Sequence, residues 1–141
     1  MASLFQRQVR DFQRRLDAIP QEIRAAVLPA IRTSAEELAT EMRNRVPVDT
    51  GALRGSITVT PPGQSTPAHS QPGGSRVAGP LEVLVTAGNT RARHGAHVEF
   101  GTVNSEASPF FFVSYRLLRK RLNSRINRAI NRAVKEAWKS P

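Results

Sequence analysis

Cysteine is absent from this chain of 141 residues, so a disulfide framework, a thiolate metal site and a cysteine nucleophile are excluded. Aromatic residues make up 6% and apolar residues 39% of the chain, which is little for a domain that closes its own core. Apolar runs are too short for a transmembrane helix. The first residues lack the apolar stretch of a signal peptide. We expect one domain, made in the cytoplasm, whose surface is completed by neighbouring copies or partners.

Acidic residues are scarce at the C-terminal end of the chain. From residue 111 onward there are nine Lys or Arg residues and one acid, which places +8 of the net charge of +10 there. A solvated helix face normally mixes charges of both signs, whereas this one stacks like charges. The excess favours an anionic partner, either non-specific nucleic acid or an acidic protein surface. The basic residues that follow each other at steps of three or four are Arg121, Arg125, Arg128, Arg132 and Lys135.

Long helices are predicted at both ends of the chain. Apolar residues at steps of three or four predict helices at roughly 3–18 and 21–45. Pro20 and Pro29 should each break or kink this region, and Pro47 should end it. A further helix is predicted from Pro109, which suits a first turn, to about residue 139. Its apolar stripe repeats every four residues and should wrap slowly around the helix: Leu118, Leu122, Ile126, Ile130, Val134 and Trp138.

Short strands are predicted between the helices. Alternating apolar residues predict strands at 56–60, 81–86 and 97–100. Residues 61–80 are rich in proline and glycine, so we expect a long hairpin arm that does not order itself and is held by a neighbouring subunit. The fold class is α+β, with a three- or four-stranded antiparallel sheet between long helices. Residues 1–46 are helical, 47–102 form the sheet and arm, and 109–139 form the last helix of a single domain.

The stretch VPVDTGALRGSI at residues 46–57 permits two interpretations. Asp49, Thr50 and Gly51 match the catalytic loop of an aspartic protease, but that loop follows a strand and needs a second carboxylate. Here a long predicted helix precedes it. We interpret Asp49 as a cap that accepts hydrogen bonds from the N–H groups of Gly51 and Ala52. Leu53 should enter the core, and a second glycine, at position 55, should close the turn with positive φ before a strand begins at position 56.

A metal site is the other chemistry to consider. His94, His97 and Glu99 lie close together in the sequence, yet no further ligand at zinc-like spacing accompanies them. A solvent-facing or interface histidine explains them more simply. The chain also lacks a phosphate-binding loop and a nucleophile elbow. We therefore expect no cofactor and no enzymatic activity.

Three blocks in fixed order carry a family resemblance. They are residues 47–56, the segment HVEFGT at 97–102, and Pro109 with Phe110. In this order, between the two helical ends, they resemble the tail-completion or neck proteins of long-tailed bacteriophages, the lambda Z-like group. The resemblance covers nearly the whole chain except the arm.

The resemblance implies a structural protein of the virion, a ring subunit that joins the tail to the DNA-filled head. It implies a homo-oligomeric ring, expected to be a hexamer, beside connector or stopper, tail-terminator or tail-tube proteins, with genomic DNA in the channel and no membrane. Glu99, Phe100, Gly101 and Thr102 would end the central strand, with Phe100 buried and Gly101 turning the chain. Pro109 and Phe110 would start and anchor the last helix.

Two alternative functions remain. One is a tail-terminator ring that caps the tail tube, since position along the particle is not encoded in the residues. The other is a free nucleic-acid-binding protein that acts through its basic C-terminal helix without sequence specificity, because no helix-turn-helix pattern or interleaved aromatic residue accompanies the basic row.

Overall fold

The computed structural model describes residues 4–17, 20–47, 51–93, 95–103 and 106–139. The fold is α+β, as predicted, with long helices beside a small antiparallel sheet. In chain order the elements are α1 (Leu4–Asp17), α2 (Gln21–Arg45), α3 (Ala52–Gly55), β1 (Thr58–Thr60), β2 (Leu84–Thr86), α4 (Gly95–Phe100) and α5 (Phe111–Lys139).

Helix α2 begins and ends at prolines and passes through a third. The carbonyl of Pro20 accepts hydrogen bonds from the N–H groups of Ile23 and Arg24 at 3.1 and 3.2 Å. Pro29 does not break the helix, contrary to one of the two outcomes expected. Pro29 and Ala25, whose carbonyl loses its donor, are both exposed, so water can satisfy that carbonyl. Before Pro47 the chain turns extended, and the predicted end of the helix is confirmed.

Helices α2 and α5 make the most extensive contact between elements in the described chain. They run antiparallel, because Arg125 in the middle of α5 meets Glu37 of α2, whereas Ala137 near the end of α5 lines the same groove as Ile23 near the start of α2. The α2 side chains buried by its packing are Val27, Ser34, Ala35, Ala39 and Met42. The two helices form the frame on which the other elements pack.

The apolar stripe of α5 leaves the α2 contact as it advances. A step of four residues exceeds one helical turn by about 40°, so Trp138 is rotated by roughly 160° from Leu122. Leu122 is 6% exposed, while Ile130, Val134 and Trp138 are 39%, 37% and 85% exposed. Ala133, 7% exposed, takes the buried position in their place. The predicted wrapping is confirmed, and it leaves an apolar row on the surface.

The sheet is smaller than predicted. In the described part of the chain β1 and β2 pair antiparallel, with Thr58 opposite Thr86 and Thr60 opposite Leu84, and the sheet holds these two strands alone. The predicted third strand at 97–100 is wrong, because this segment lies in helix α4. The alternation would have required positions 98 and 100 to face inward. Instead Glu99 is the buried residue, and contacts distant in sequence hold it there.

The arm between the strands is paired through its own backbone, which the expectation of an arm without internal order did not include; contact with a neighbouring subunit stays a prediction. Gly63 N–H donates to the Ala78 carbonyl at 2.9 Å, and Thr66 N–H donates to the Arg76 carbonyl at 2.8 Å. Gln71 and Ala87 exchange two backbone hydrogen bonds at 2.8 and 3.0 Å, which fold the arm back onto the chain after β2. Backbone pairing supplies the order that its low apolar content does not.

The central core is built from small and medium side chains around one phenylalanine. Its buried cluster lies where α2, the turn at 51–57, the end of β2 and the start of α5 meet. The members are Ala39, Met42, Val46, Leu53, Ile57, Ala87, Ala92 and Phe110. This core positions the first turn of α5 and the loop that precedes it.

Candidate interaction surfaces

The turn before β1, which the structure describes from residue 51 onward, directs Leu53 into the core. Gly51 adopts φ +79°, the left-handed conformation that favours glycine, and Leu53 is 4% exposed, so its predicted entry into the core is confirmed. The positive φ predicted for Gly55 is wrong, since Gly55 is the last residue of α3. Asp49 and Thr50 lie outside the described residues, so the capping role of Asp49 remains a prediction.

A hydrogen bond connects the buried Ser56 at the end of this turn to Gly88, which follows β2. The predicted strand start at Ser56 is wrong: β1 begins at Thr58, and Ser56 is the C-cap residue of α3. The Ser56 hydroxyl donates to the Leu53 carbonyl at 2.6 Å and accepts from the Gly88 N–H at 2.8 Å. Sequence reasoning missed this bond, because the partners are 32 residues apart and no local pattern connects them.

Glu99 caps the start of α5. One carboxylate oxygen accepts from the N–H groups of Phe110 and Phe111 at 2.8 and 2.9 Å, and the other accepts from Phe112 at 3.0 Å. These N–H groups have no partner within the helix, and a negative charge also suits the positive end of the helix dipole. Glu99 is 7% exposed. The motif HVEFGT was singled out by resemblance, but the role of its carboxylate as a helix cap was not foreseen.

The neighbours of Glu99 differ from the expectation. Phe100 is 69% exposed, so its predicted burial is wrong. Helix α4 directs Glu99 inward and leaves Phe100 at the surface, where its ring lies 6.1 Å from that of Phe112. Gly101 has φ +79° and turns the chain, as predicted. Thr102 is exposed.

Phe110 anchors the last helix as predicted, at 1% exposure. Pro109 lies two residues before the first helical residue, Phe111, and not in the first turn. An open cleft of about 130 Å³ lies beside this anchor. Its lining is largely aromatic and consists of Gln71, Pro72, Ala87, Glu99, Phe100, Phe110, Phe111 and Phe112.

Two arginines in the basic row of α5 form ion pairs with a glutamate of α2. Arg125, whose side chain is 23% exposed, pairs with Glu37 of α2 at 2.6 Å and with Ser34 at 3.2 Å. Arg121 reaches the other oxygen of Glu37 at 3.1 Å. Glu37 therefore relieves part of the repulsion between these like charges from within the chain, and the anionic partner stays a prediction. Arg128, Arg132 and Lys135 are exposed.

The metal hypothesis finds no support in the side chains that the structure describes. No group of three or more His, Cys, Asp or Glu residues there is placed to hold an ion. His94 and the side chain of His97 lie outside this description, while Glu99 is engaged with the start of α5.

No described helix combines the length and the apolar character that crossing a bilayer requires.

Comparison with protein families identifies the chain. The family model described as "Bacteriophage HK97-gp10, putative tail-component" matches residues 10–101, which is more than half of the chain. The match runs from α1 through α4 and stops before α5. The chain belongs to this HK97-gp10-like family of structural components of phage tails. Comparisons with curated proteins and with solved structures each gave no match.

Proposed function

We propose that this protein is a tail-completion protein of the lambda Z-like kind, a ring subunit at the junction between the phage head and tail. In this role it has no enzymatic activity. It joins the tail to the DNA-filled head and seals the boundary between connector and tail while DNA is retained and later passes.

The observation that carries the proposal is the amount of apolar surface that the chain leaves uncovered. Trp138, Phe100 and Leu117 are 85%, 69% and 58% exposed. The chain also belongs to a family of tail components. Soluble monomers rarely expose large apolar patches, and such patches usually mark contacts with other proteins. A subunit that is completed by its neighbours in a virion accounts for these side chains.

The partners we propose are other copies of the chain and the adjacent virion proteins. The resemblance gives a hexameric ring and places connector or stopper, tail-terminator or tail-tube proteins next to it. Arg128, Arg132 and Lys135 are exposed and suit a non-specific contact with DNA phosphates in the channel, or with an acidic neighbouring ring.

Deletion of the gene tests this function. Electron microscopy of lysates should show DNA-filled heads and separate tails, because the joining ring is missing. Expression from a plasmid should restore joined particles. Asp49→Asn should restore them equally well, since no carboxylate chemistry is involved. Normal joined particles after deletion would rule the proposal out, and tails of uncontrolled length would indicate the tail-terminator position.

A further inference from the structure

The sequence of helix α1 predicts an apolar face, and Leu4 and Val9, its apolar side chains that the structure describes, are exposed. Helical periodicity places positions 5, 9, 12 and 16 within an arc of about 60°; these positions hold Phe5, Val9, Phe12 and Leu16. Val9 is 49% exposed, and every α1 side chain that the structure describes is exposed. Because isolated helices of this length are marginal in water, a face of this kind needs a surface to pack against.

A groove of matching character lies where the start of α2 meets the end of α5. Its volume is about 570 Å³, which leaves room for several apolar side chains. The floor is formed by one isoleucine and small side chains, and the rim carries charges of both signs. The lining residues are Glu22, Ile23, Ala26, Ala129, Arg132, Ala133, Glu136 and Ala137.

The exposed apolar row of α5 continues this groove. Successive residues on a helix are separated by about 100°, so Ala133, Ala137, Ile130, Val134 and Trp138 cover about 140° of one side of α5. Ala133 and Ala137 line the groove, and the other three are exposed beside it. Arg128 and Lys135 lie roughly 140° from the centre of this row around the helix, whereas Arg132 lies at the rim of the groove. The apolar row therefore faces a different direction from Arg128 and Lys135.

We propose that the apolar face of α1 of one copy packs into the groove between α2 and α5 of the next copy. This inference names the contact between subunits in the proposed ring, and it rests on the proposed function for the assembly of several copies. Charge complementarity is possible: helical periodicity puts positions 15 and 17, an arginine and an aspartate, to either side of the α1 face, and the groove lining carries charges of both signs.

A second copy is favoured over the chain's own α1, because the described side chains of α1 are all exposed and do not fill the groove of their own chain. Three residues separate α1 from α2, and one of them is Pro20 in an extended conformation, with φ −56° and ψ 143°. In this conformation the groove residues Ala26 and Ala137 remain exposed.

The proposed contact joins two different surfaces, so it is head-to-tail. Each copy then offers one α1 face and one groove, and a series of such contacts closes into a ring when its rotation permits. This contact would hold the ring together, and it would also cover the apolar row of α5 that is exposed in the single chain.

Cross-linking tests the contact in the full-length protein. The chain has no cysteine, so introduced thiols are the only ones present. A Val9→Cys copy mixed with a differently tagged Ala137→Cys copy should give a covalent heterodimer with a short bismaleimide. A matched mixture of Val9→Cys with Thr33→Cys should give little, because Thr33 is exposed on α2 outside the groove. No preference for the first pair would overturn the contact.

The double variant Val9→Cys/Ala137→Cys separates the two possible occupants. Cross-links between copies are expected. A link formed only within single chains would show that α1 occupies its own groove, and would overturn the proposal.

Complementation gives a second test by mass measurement in solution. Val9→Glu damages α1 and Ala137→Glu damages the groove, and both sites are exposed, so both variants should fold. Each variant alone should be monomeric at concentrations where the wild type forms rings, and a mixture should form 1:1 dimers. A Val9→Glu protein that assembles like the wild type would overturn the contact and leave the ring intact. Wild-type protein absent from particles would instead contradict the proposed function.

Discussion

The carboxylate of Glu37 on α2 lies 2.6 Å from the guanidinium of Arg125 on α5, at the middle of the contact between the two longest helices of the described chain. Both side chains are less than one quarter exposed, and Glu37 also receives Arg121 at 3.1 Å. One acid therefore pairs with two members of the basic row and offsets one of their two positive charges.

Replacement of Glu37 by glutamine should lower the free energy of unfolding by about 1–3 kcal/mol, because it leaves Arg125 without its charged partner in a partly buried site. Urea unfolding measures this change. Glu36→Gln is the matched control, since Glu36 is exposed on the same helix, and its effect should stay within about 0.5 kcal/mol. Equal effects of the two substitutions would show that the pair contributes nothing.

Glu99→Ala should destabilise the protein by about 1–3 kcal/mol, because three backbone N–H groups at the start of α5 lose their acceptor. Glu99→Gln should fall between the alanine variant and the wild type, since an amide retains one acceptor oxygen and lacks the charge. Glu106→Ala, in the exposed loop before α5, serves as control. If Glu99→Ala and Glu106→Ala unfold at the same urea concentration, the capping role is wrong.

Gly88→Ala should destabilise the protein more than Gly63→Ala. Both glycines have positive φ, at +105° and +80°, so both substitutions strain the backbone. A Cβ at position 88 would also lie 3.0 Å from the His69 carbonyl oxygen and 3.2 Å from that of Ala92, whereas one at position 63 meets nothing within 4 Å. We expect about 1 kcal/mol for Gly63→Ala and at least about 2 kcal/mol for Gly88→Ala in thermal or urea unfolding. The reverse order would contradict the close approach at the arm.

Substitution of Arg128, Arg132 and Lys135 by glutamine tests the DNA contact and leaves the Glu37–Arg125 ion pair between α2 and α5 in place. The slope of the logarithm of the binding constant against the logarithm of the salt concentration should become less steep. The change should be up to about 0.9 for each DNA phosphate that the variant no longer neutralises. A control triple, Arg54→Gln, Arg91→Gln and Arg93→Gln, removes the same charge from exposed positions elsewhere. Electrophoretic mobility at several salt concentrations measures both. Equal slopes in the two triples would assign binding to net charge alone, and this row would then not be a DNA site.

The long helices could be predicted from the sequence because their signals are local. Apolar spacing and the prolines at 20 and 47 gave the bounds of α1 and α2 to within about two residues, and the four-residue repeat of α5 predicted that its apolar stripe wraps around the helix. These features depend on helical geometry alone.

The parts that failed depend on contacts between distant residues. Segment 97–100 alternates like a strand, but the open start of α5 recruits Glu99 and selects a helix that buries that residue. The pairing of Arg125 with Glu37 similarly required the fold, since the two are 88 residues apart. The internal order of the arm was not predicted, because low apolar content gives no information on how much of the backbone can pair.

The most direct test of the central claim is electron cryo-microscopy of the intact phage at the head–tail junction. The account predicts a ring of identical subunits between the connector and the tail tube, into which the antiparallel α2–α5 pair and its small sheet fit as a repeating unit. A reconstruction with no such subunit at the junction, or with this protein at another position in the particle, would contradict it.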